Sequence, residues 1–345
     1  MRAIVKVGPV RGVELRSQVA EPEAGPGEVV IKVAASSICG TDLHLFEWDK
    51  SAQAFNPTLP LIMGHEFAGT VVATGSGVTQ LKKGDRVAAE SHIFCGHCYF
   101  CRTGDAHNCL NMRLLGLTWD GAFAEYAKLP VNVCFALPDA IPLEIGALFE
   151  GCGVAVHGFQ RAGSVAGAAV VVMGCGPIGL VLIALCQAFG ATSVIGVEPN
   201  PYRRKLVEKL GARAVDPRSE DVVKIARDMN PRRGGADVGF EVSAARGVMR
   251  PLFDALRREA TLVTIGHPSE SDPIDIAADI NKKGVTLKGI FGRRIWDTWE
   301  LLLALIESKR LDLSWLITHR FDLAEFDQGI GLLTGEAGKV LIMPN

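Results

Sequence analysis

Four thiols crowd into fifteen residues at Cys95-x2-Cys98-x2-Cys101-x7-Cys109. Zinc takes four soft ligands in a tetrahedron, and short loops with two-residue gaps can supply them; four thiolates leave no open position, so such a site is structural rather than catalytic. Gly96, Gly104 and the turn-forming Asp105 let the chain fold back. An iron–sulfur cluster is the competing use of the same four ligands. A second set is mixed in chemistry: Cys39-Gly40-Thr41-Asp42-Leu43-His44, then Gly64-His65-Glu66, and later Glu150. Cys39, His65, and Glu66 or Glu150 would give a sulfur, nitrogen and oxygen donor set. Sets of that kind keep an exchangeable position and polarise an alcohol or a carbonyl. Each of these residues alone has an ordinary reading as a core or surface residue.

What lifts the second set above that reading is a third motif. Gly174-x-Gly176-x-x-Gly179 follows the Val-rich run 168–173 and opens a helix that starts near Ile178. Glycines there allow a tight turn, close backbone approach to a pyrophosphate, and helix–strand packing, with the phosphates at the helix N-terminus. Glu198 ends the next apolar strand, 19 residues beyond Gly179. A carboxylate at that place hydrogen-bonds the adenosine ribose and repels a 2′-phosphate, which favours NAD over NADP. Arg203 and Arg204 follow closely and could instead stack on adenine or form a solvated helix face.

The elements that must position these groups fall into two rhythms. Residues 1 to about 150 carry short strand-like runs at 29–33, 69–73 and 84–88 between Pro/Gly turns, a β-rich or barrel-like unit with few helices. From about residue 153, strands expected at 168–173, 192–197, 237–241, 261–265 and 285–289 alternate with helices expected at 178–189, 201–210, 220–228 and 248–256. That alternation means parallel βαβ units with helices on both faces of the sheet. An apolar helix over 299–308 and a strand over 339–343 follow, and such a tail commonly returns to the first domain.

At 345 residues the chain is expected to form two domains, and 48% hydrophobic residues give ample core for both. A net charge of −2 argues against a nucleic-acid partner. No formally charged residue occurs from 162 to 197, long enough to span a bilayer. The break at Gly174-Cys175-Gly176-Pro177 makes a strand, a turn and a buried helix the better reading. The N-terminus, with Arg2, Lys6, Arg11, Glu14 and Arg16, has no apolar core for a signal peptide. With nine cysteines, an odd number in local clusters, a cytoplasmic metalloprotein is expected rather than a disulfide framework.

Over essentially its whole length the chain resembles the zinc-dependent medium-chain dehydrogenases, and within them the branch that oxidises L-threonine. The segments that carry the likeness are Ser37-Ile38-Cys39-Gly40-Thr41-Asp42-Leu43-His44, Gly64-His65-Glu66, 90–98, 121–126, Glu198-Pro199-Asn200-Pro201-Tyr202-Arg203-Arg204 and 292–299. The Glu-Trp-Asp after His44 is among the features more specific to that branch.

The resemblance implies an α/β protein, a GroES-like β-rich catalytic domain plus a Rossmann doubly wound parallel-sheet domain. The domains would be 1–152 with the zinc lobe at 95–109, 153–292 for the cofactor, and 293–345 returning to the first. It implies two zincs: a catalytic one at Cys39, His65, Glu66 and Glu150, and a structural one at Cys95, Cys98, Cys101 and Cys109. Thr41 and His44 fall on the proton relay, and His92 on a position linked to threonine preference. The NAD-binding set is Gly174, Gly176, Pro177, Ile178, Gly179, Glu198, Arg203, Ile265, Ile290 and Phe291. A cytoplasmic homotetramer acting on a small-molecule alcohol, without nucleic acid or membrane, completes the expectation.

The expected reaction is NAD-linked oxidation of a secondary alcohol, L-threonine to 2-amino-3-oxobutanoate. The alternatives are a polyol, inositol or amino alcohol on the same site, or an NAD-binding protein without activity. Cys152 and Val154 depart from the family pattern beside Glu150, where a Pro and an Asn are usual.

Overall fold

The computed structural model describes residues 1–268 and 270–344. It divides into two compact units, one of Met1–Gly151 with Leu313–Asn345 and one of Cys152–Asp312.

The first unit is built on a seven-stranded mixed sheet. Its central strand, Glu28–Ser37, pairs antiparallel with Glu66–Thr74, Tyr126–Pro130 and the last strand, Lys339–Ile342. Register sets Ser37 opposite both Glu66 and Leu341, so three distant stretches of sequence meet at one end of this strand. The core is Val29, Ile31, Val33, Phe67, Val71 and Val87, which recur at alternate positions along the strands. Among the short helices that interrupt the β-rich unit are α1 (Gly40–Glu47) and α2 (Lys50–Ala54). Sequence periodicity does not reveal α1, because only Leu45 and Phe46 among its apolar residues are buried.

The second unit holds a six-stranded parallel sheet. Its strands are β1 (Ala169–Met173), β2 (Ser193–Val197), β3 (Arg213–Val215), β4 (Ala236–Glu241), β5 (Leu256–Thr264) and β6 (Thr286–Gly289). They lie in the order β3-β2-β1-β4-β5-β6. The strand order reverses between β2 and β4 on either side of β1, the place where doubly wound sheets bind ligands at the carboxyl ends of their strands. Every residue of β1 and β4 is buried, as expected of strands covered on both faces. The uncharged run 162–197 resolves into β1, a glycine turn, the helix Pro177–Ala188 and β2. Among the described residues no helix is long and apolar enough to cross a membrane.

Two boundaries differ from the sequence expectation. The three-residue β3 was not anticipated, being too short to carry a periodic signal. Residues 293–312, expected to begin the return, belong to the second unit. Asp297 accepts a hydrogen bond from Gln160 at 2.9 Å, and Arg310 donates to the Ala188 carbonyl and lies over the Phe189 ring. These contacts tie the helix Asp297–Glu307 to the helices 149–162 and 177–188. The chain rejoins the first unit only at Leu313.

Candidate metal and cofactor sites

The cysteine lobe is the connection between the two strands of the ribbon His92–Ile93 and Arg113–Leu114. Gly96 takes a left-handed φ of +77°, which turns the chain back after Cys95. Cys98 begins the short helix Tyr99–Arg102 that carries Cys101, and Cys109 follows a 3₁₀ turn. The four sulfurs all lie within 4.8 Å of one another, with Cys98 Sγ 3.5 Å from Cys101 Sγ and 3.9 Å from Cys109 Sγ. A tetrahedron of 2.3 Å Zn–S bonds has edges of about 3.8 Å. The four thiols therefore fit a closed zinc site as they stand. Backbone N–H groups of the turn, with Asn111 Nδ2 at 3.7 Å, pull the Cys95 thiol down to about 5. Burial and the neighbouring thiol push Cys101 up to about 12. Asn111 had no signal in the sequence.

In the first unit Cys39, His65 and Glu66 bring one sulfur, one nitrogen and one oxygen within 4.8 Å of one another. Cys39 is the extended N-cap of α1, and its N–H donates to Asp42 Oδ2 at 2.8 Å. Asp42 Oδ1 lies 3.3 Å from His65 Nδ1, and its side chain is 1% exposed. A carboxylate on one ring nitrogen orients a histidine and frees the other nitrogen for a metal. Burial lowers the affinity of His65 for a proton, but Asp42 and Cys39 together hold it well above the usual histidine range. Gly64 precedes His65 at φ +93°, and a Cβ there would sit 2.7 Å from the Phe123 backbone nitrogen. Only glycine permits this approach, which accounts for the Gly-His-Glu spacing. Glu66 is buried, and one of its oxygens accepts from both Ser37 Oγ and Lys339 Nζ. Burial pushes its carboxyl up, yet Lys339 and His65 keep it below the usual range. Ser37 and Lys339 were missed by sequence reasoning.

Glu150 is buried but does not join this group of three, so Glu66 rather than Glu150 is its acidic member. Thr41 Oγ1 lies 3.9 Å from Cys39 Sγ. His44 is half-exposed further along α1, with Nδ1 2.6 Å from Asp49 Oδ2. His92 is buried, and its N–H donates to Glu90 at 2.8 Å.

In the second unit β1 runs into Gly174, at φ +91°, and Gly176 caps the helix Pro177–Ala188 with Pro177 in its first turn. A Cβ on Gly174 would meet Ser243, and one on Gly179 would lie 2.0 Å from the Gly174 carbonyl oxygen. A cleft of about 690 Å³ opens over this turn, lined among others by Gly174, Gly176, Glu198, Arg203, Val222 and Ser243. Glu198 Oε2 accepts from the Cys175 N–H and Oε1 from the Asn200 N–H, both at 2.9 Å. Each carboxylate oxygen has a second lone pair, so both can still take a ribose hydroxyl. The sequence held no pointer to Val222 or Ser243, which reach the cleft from later βα turns.

Pro177, Ile178 and Gly179 form the first turn of the helix that Gly176 caps. Ile265 and Ile290 pack against Gly158, and Phe291 is exposed beside His267. Arg204 turns away to Asp216 and to the Glu198 carbonyl, while Arg203 lines the cleft. Cys152 is buried in the helix Phe149–Ala162.

Comparison with known proteins matches residues 25–139 to the family described as "Alcohol dehydrogenase GroES-like domain" and residues 177–308 to "Zinc-binding dehydrogenase". An L-threonine 3-dehydrogenase of Caldanaerobacter subterraneus subsp. tengcongensis is 44% identical over 327 residues, 94% of this chain and 93% of the relative. The crystal structure of 2R,3R-butanediol dehydrogenase from Bacillus subtilis superposes with a TM-score of 0.88 at 34% identity, covering 100% of this chain and 99% of the other. A zinc-binding dehydrogenase of Sinorhizobium meliloti 1021 bound to NADP gives 0.89 at 31% identity, covering 99% of each chain. With both halves matched and relatives aligned nearly end to end, the chain belongs to the zinc-dependent medium-chain alcohol dehydrogenases.

Proposed function

We propose that the protein oxidises L-threonine at C3 to 2-amino-3-oxobutanoate, with NAD as hydride acceptor. The observation that carries this reading is the Cys39, His65 and Glu66 triad in a chain 44% identical to an L-threonine 3-dehydrogenase. Cys39, His65 and Glu66 would hold a catalytic zinc, and Cys95, Cys98, Cys101 and Cys109 a structural one. When bound, the catalytic zinc supplies a Lewis acid that makes the substrate hydroxyl acidic, and NAD supplies the acceptor for its C3 hydride.

The residues of the chain do the rest. Thr41, beside Cys39 on the first turn of α1, accepts the proton of the substrate hydroxyl while giving up its own, so that it relays a proton without holding charge. His44, half-exposed further along the same helix, receives it and releases it to water. The Gly174–Gly179 turn and the N-terminus of the helix after it receive the pyrophosphate, and Glu198 takes the adenosine ribose, with a preference for NAD. An amino acid brings an ammonium and a carboxylate, and burying either unpaired costs several kcal/mol. Glu90 or Glu150 would balance the ammonium, and His92 would donate to the carboxylate.

A neutral vicinal diol is the second reading, favoured by the likeness to 2R,3R-butanediol dehydrogenase. Cys152 and Val154 are the residues to exchange first if it prevails. A cytoplasmic homotetramer is proposed from the family resemblance, and the nine free cysteines fit a reducing compartment. Spectrophotometric NAD reduction on zinc-replete protein, across amino acids, polyols and sugars, tests the assignment. Activity confined to polyols would replace it with the second reading.

A further inference from the structure

The Glu-Trp-Asp that follows His44 has no part in the account so far, yet the structure gives its last member a specific partner. Helix α1 ends at Trp48 in the left-handed region, φ 57° and ψ 43°, with the Trp48 N–H donating to the His44 carbonyl. The reversal brings Asp49 back beside the last turn of α1. One oxygen of Asp49, Oδ1, accepts the Ala52 N–H at 3.0 Å and so caps α2. The other, Oδ2, lies 2.6 Å from His44 Nδ1. A single carboxylate thus closes the start of one helix and holds the ring of the other. Left-handed backbone is costly for a tryptophan. The turn is held by Lys6 Nζ, 5.4 Å from the Trp48 ring centroid and bonded to the Phe46 carbonyl, and by Gln53 Nε2 donating to the Trp48 carbonyl at 3.1 Å.

We propose that Asp49 is a positioning residue for the proton path: it keeps the proton of neutral His44 on Nδ1, so that Nε2 is the atom that takes the substrate's proton. This rests on the relay role given to His44 above. The step balances without any further reactant. Nε2 gains the proton, Nδ1–H is retained, Asp49 stays ionised, and water takes the proton from Nε2 afterwards. The short separation is that of a charge-assisted bond. A carboxylate on one imidazole nitrogen sets the tautomer and raises the basicity of the other.

Other charged groups of the segment are engaged elsewhere or face water. Asp42 accepts from the Cys39 N–H and lies on His65, Glu47 pairs with Arg11 at 2.8 Å, Lys6 is buried against the carbonyls of Val10, Gly12 and Phe46, and Lys50 is exposed. Because His44 and Asp49 are 47% and 43% exposed, the expected effect is modest.

Asp49→Asn separates the two duties of the residue, since asparagine caps a helix as well as aspartate but carries no charge. In the zinc-loaded enzyme, kcat/KM for threonine should fall about two- to fivefold. Nitrogen-15 NMR of the histidine-labelled protein without NAD supplies a readout independent of turnover, with His44→Gln assigning the signal. Neutral His44 should be protonated at Nδ1 in the parent and shift toward Nε2–H in Asp49→Asn. A parental kcat/KM together with an unchanged tautomer in Asp49→Asn would overturn the proposal, as would an Nε2–H tautomer in the parent. Should His44→Gln keep full activity while the NMR shift occurs, the relay reading fails, and with it the catalytic purpose given to Asp49, although the ring contact stands.

Discussion

Lys339→Met offers the sharpest test of how the proposed catalytic metal site is built. Lys339 lies on the last strand and is 4% exposed, and Glu66 is 1% exposed. Its ammonium and the Ser37 hydroxyl share one oxygen of that carboxylate. Methionine keeps the volume and removes the charge, which leaves a buried carboxylate with one neutral donor. Breaking a buried pair from one side costs about 3–5 kcal/mol. With a urea m-value of about 3 kcal/mol per molar, the midpoint for the first unit should fall by roughly 1–1.7 M. The deficit should depend on pH with a definite sign. The Glu66 carboxyl is held below its ordinary value in the parent, so its contribution is present above the unfolded carboxylate range and is lost as pH falls through the folded value. In the variant, His65 and Ser37 still act on Glu66 but the Lys339 charge is gone, so burial raises its affinity for a proton relative to the parent, and the gap between variant and parent should narrow in acid. Glu66→Gln with Lys339→Met in one chain should recover most of the loss, because neither partner is left charged. A single-variant loss under about 1 kcal/mol, or two single losses that simply add in the double variant, would refute the buried-pair reasoning.

Three further outcomes follow from the sites. Mild chelation should remove one of two zincs per chain and abolish activity while the fold persists, because four thiolates close their site and the Cys39 site stays open; metal analysis and circular dichroism after each step check this. Glu198→Ala should weaken NAD by about 1–3 kcal/mol and relax discrimination against NADP. It should also lower stability, since the Cys175 and Asn200 N–H groups lose their acceptor; unchanged NAD and NADP constants would remove Glu198 from the ribose site. His92→Asn should cut kcat/KM for threonine tenfold or more, about 1.4 kcal/mol of transition-state stabilisation, and affect 2,3-butanediol much less; equal losses on both substrates would make His92 a scaffold residue.

The legible parts of the sequence were those whose chemistry is local. Four cysteines in fifteen residues carry their own geometry, and the Gly174–Gly179 turn sits between a fully buried strand and an apolar helix that any periodicity reading finds. Gly-His-Glu announces itself through a glycine that backbone contact with Phe123 makes obligatory. What stayed hidden depends on contacts across long separations. Lys339 and Glu66 are 273 positions apart, and only the register of Glu28–Ser37 against its two neighbours explains their meeting. Asp42 carried no assigned role in the sequence: its bond to the Cys39 N–H and its contact with His65 appear only in the fold. The late return at Leu313 was obscured for a similar reason: residues that hold 293–312 in the second unit, such as Gln160 and Phe189, lie more than a hundred positions upstream.

The central claim is transfer of a hydride from C3 of threonine to NAD, and L-[3-²H]threonine tests it most directly. On zinc-replete protein the account expects NADH to form with deuterium at C4 of the nicotinamide, one label per turnover. The co-product should be unlabelled 2-amino-3-oxobutanoate, detected by trapping. NADH formed without deuterium, or no NADH from threonine under conditions where 2,3-butanediol reduces NAD, would contradict it.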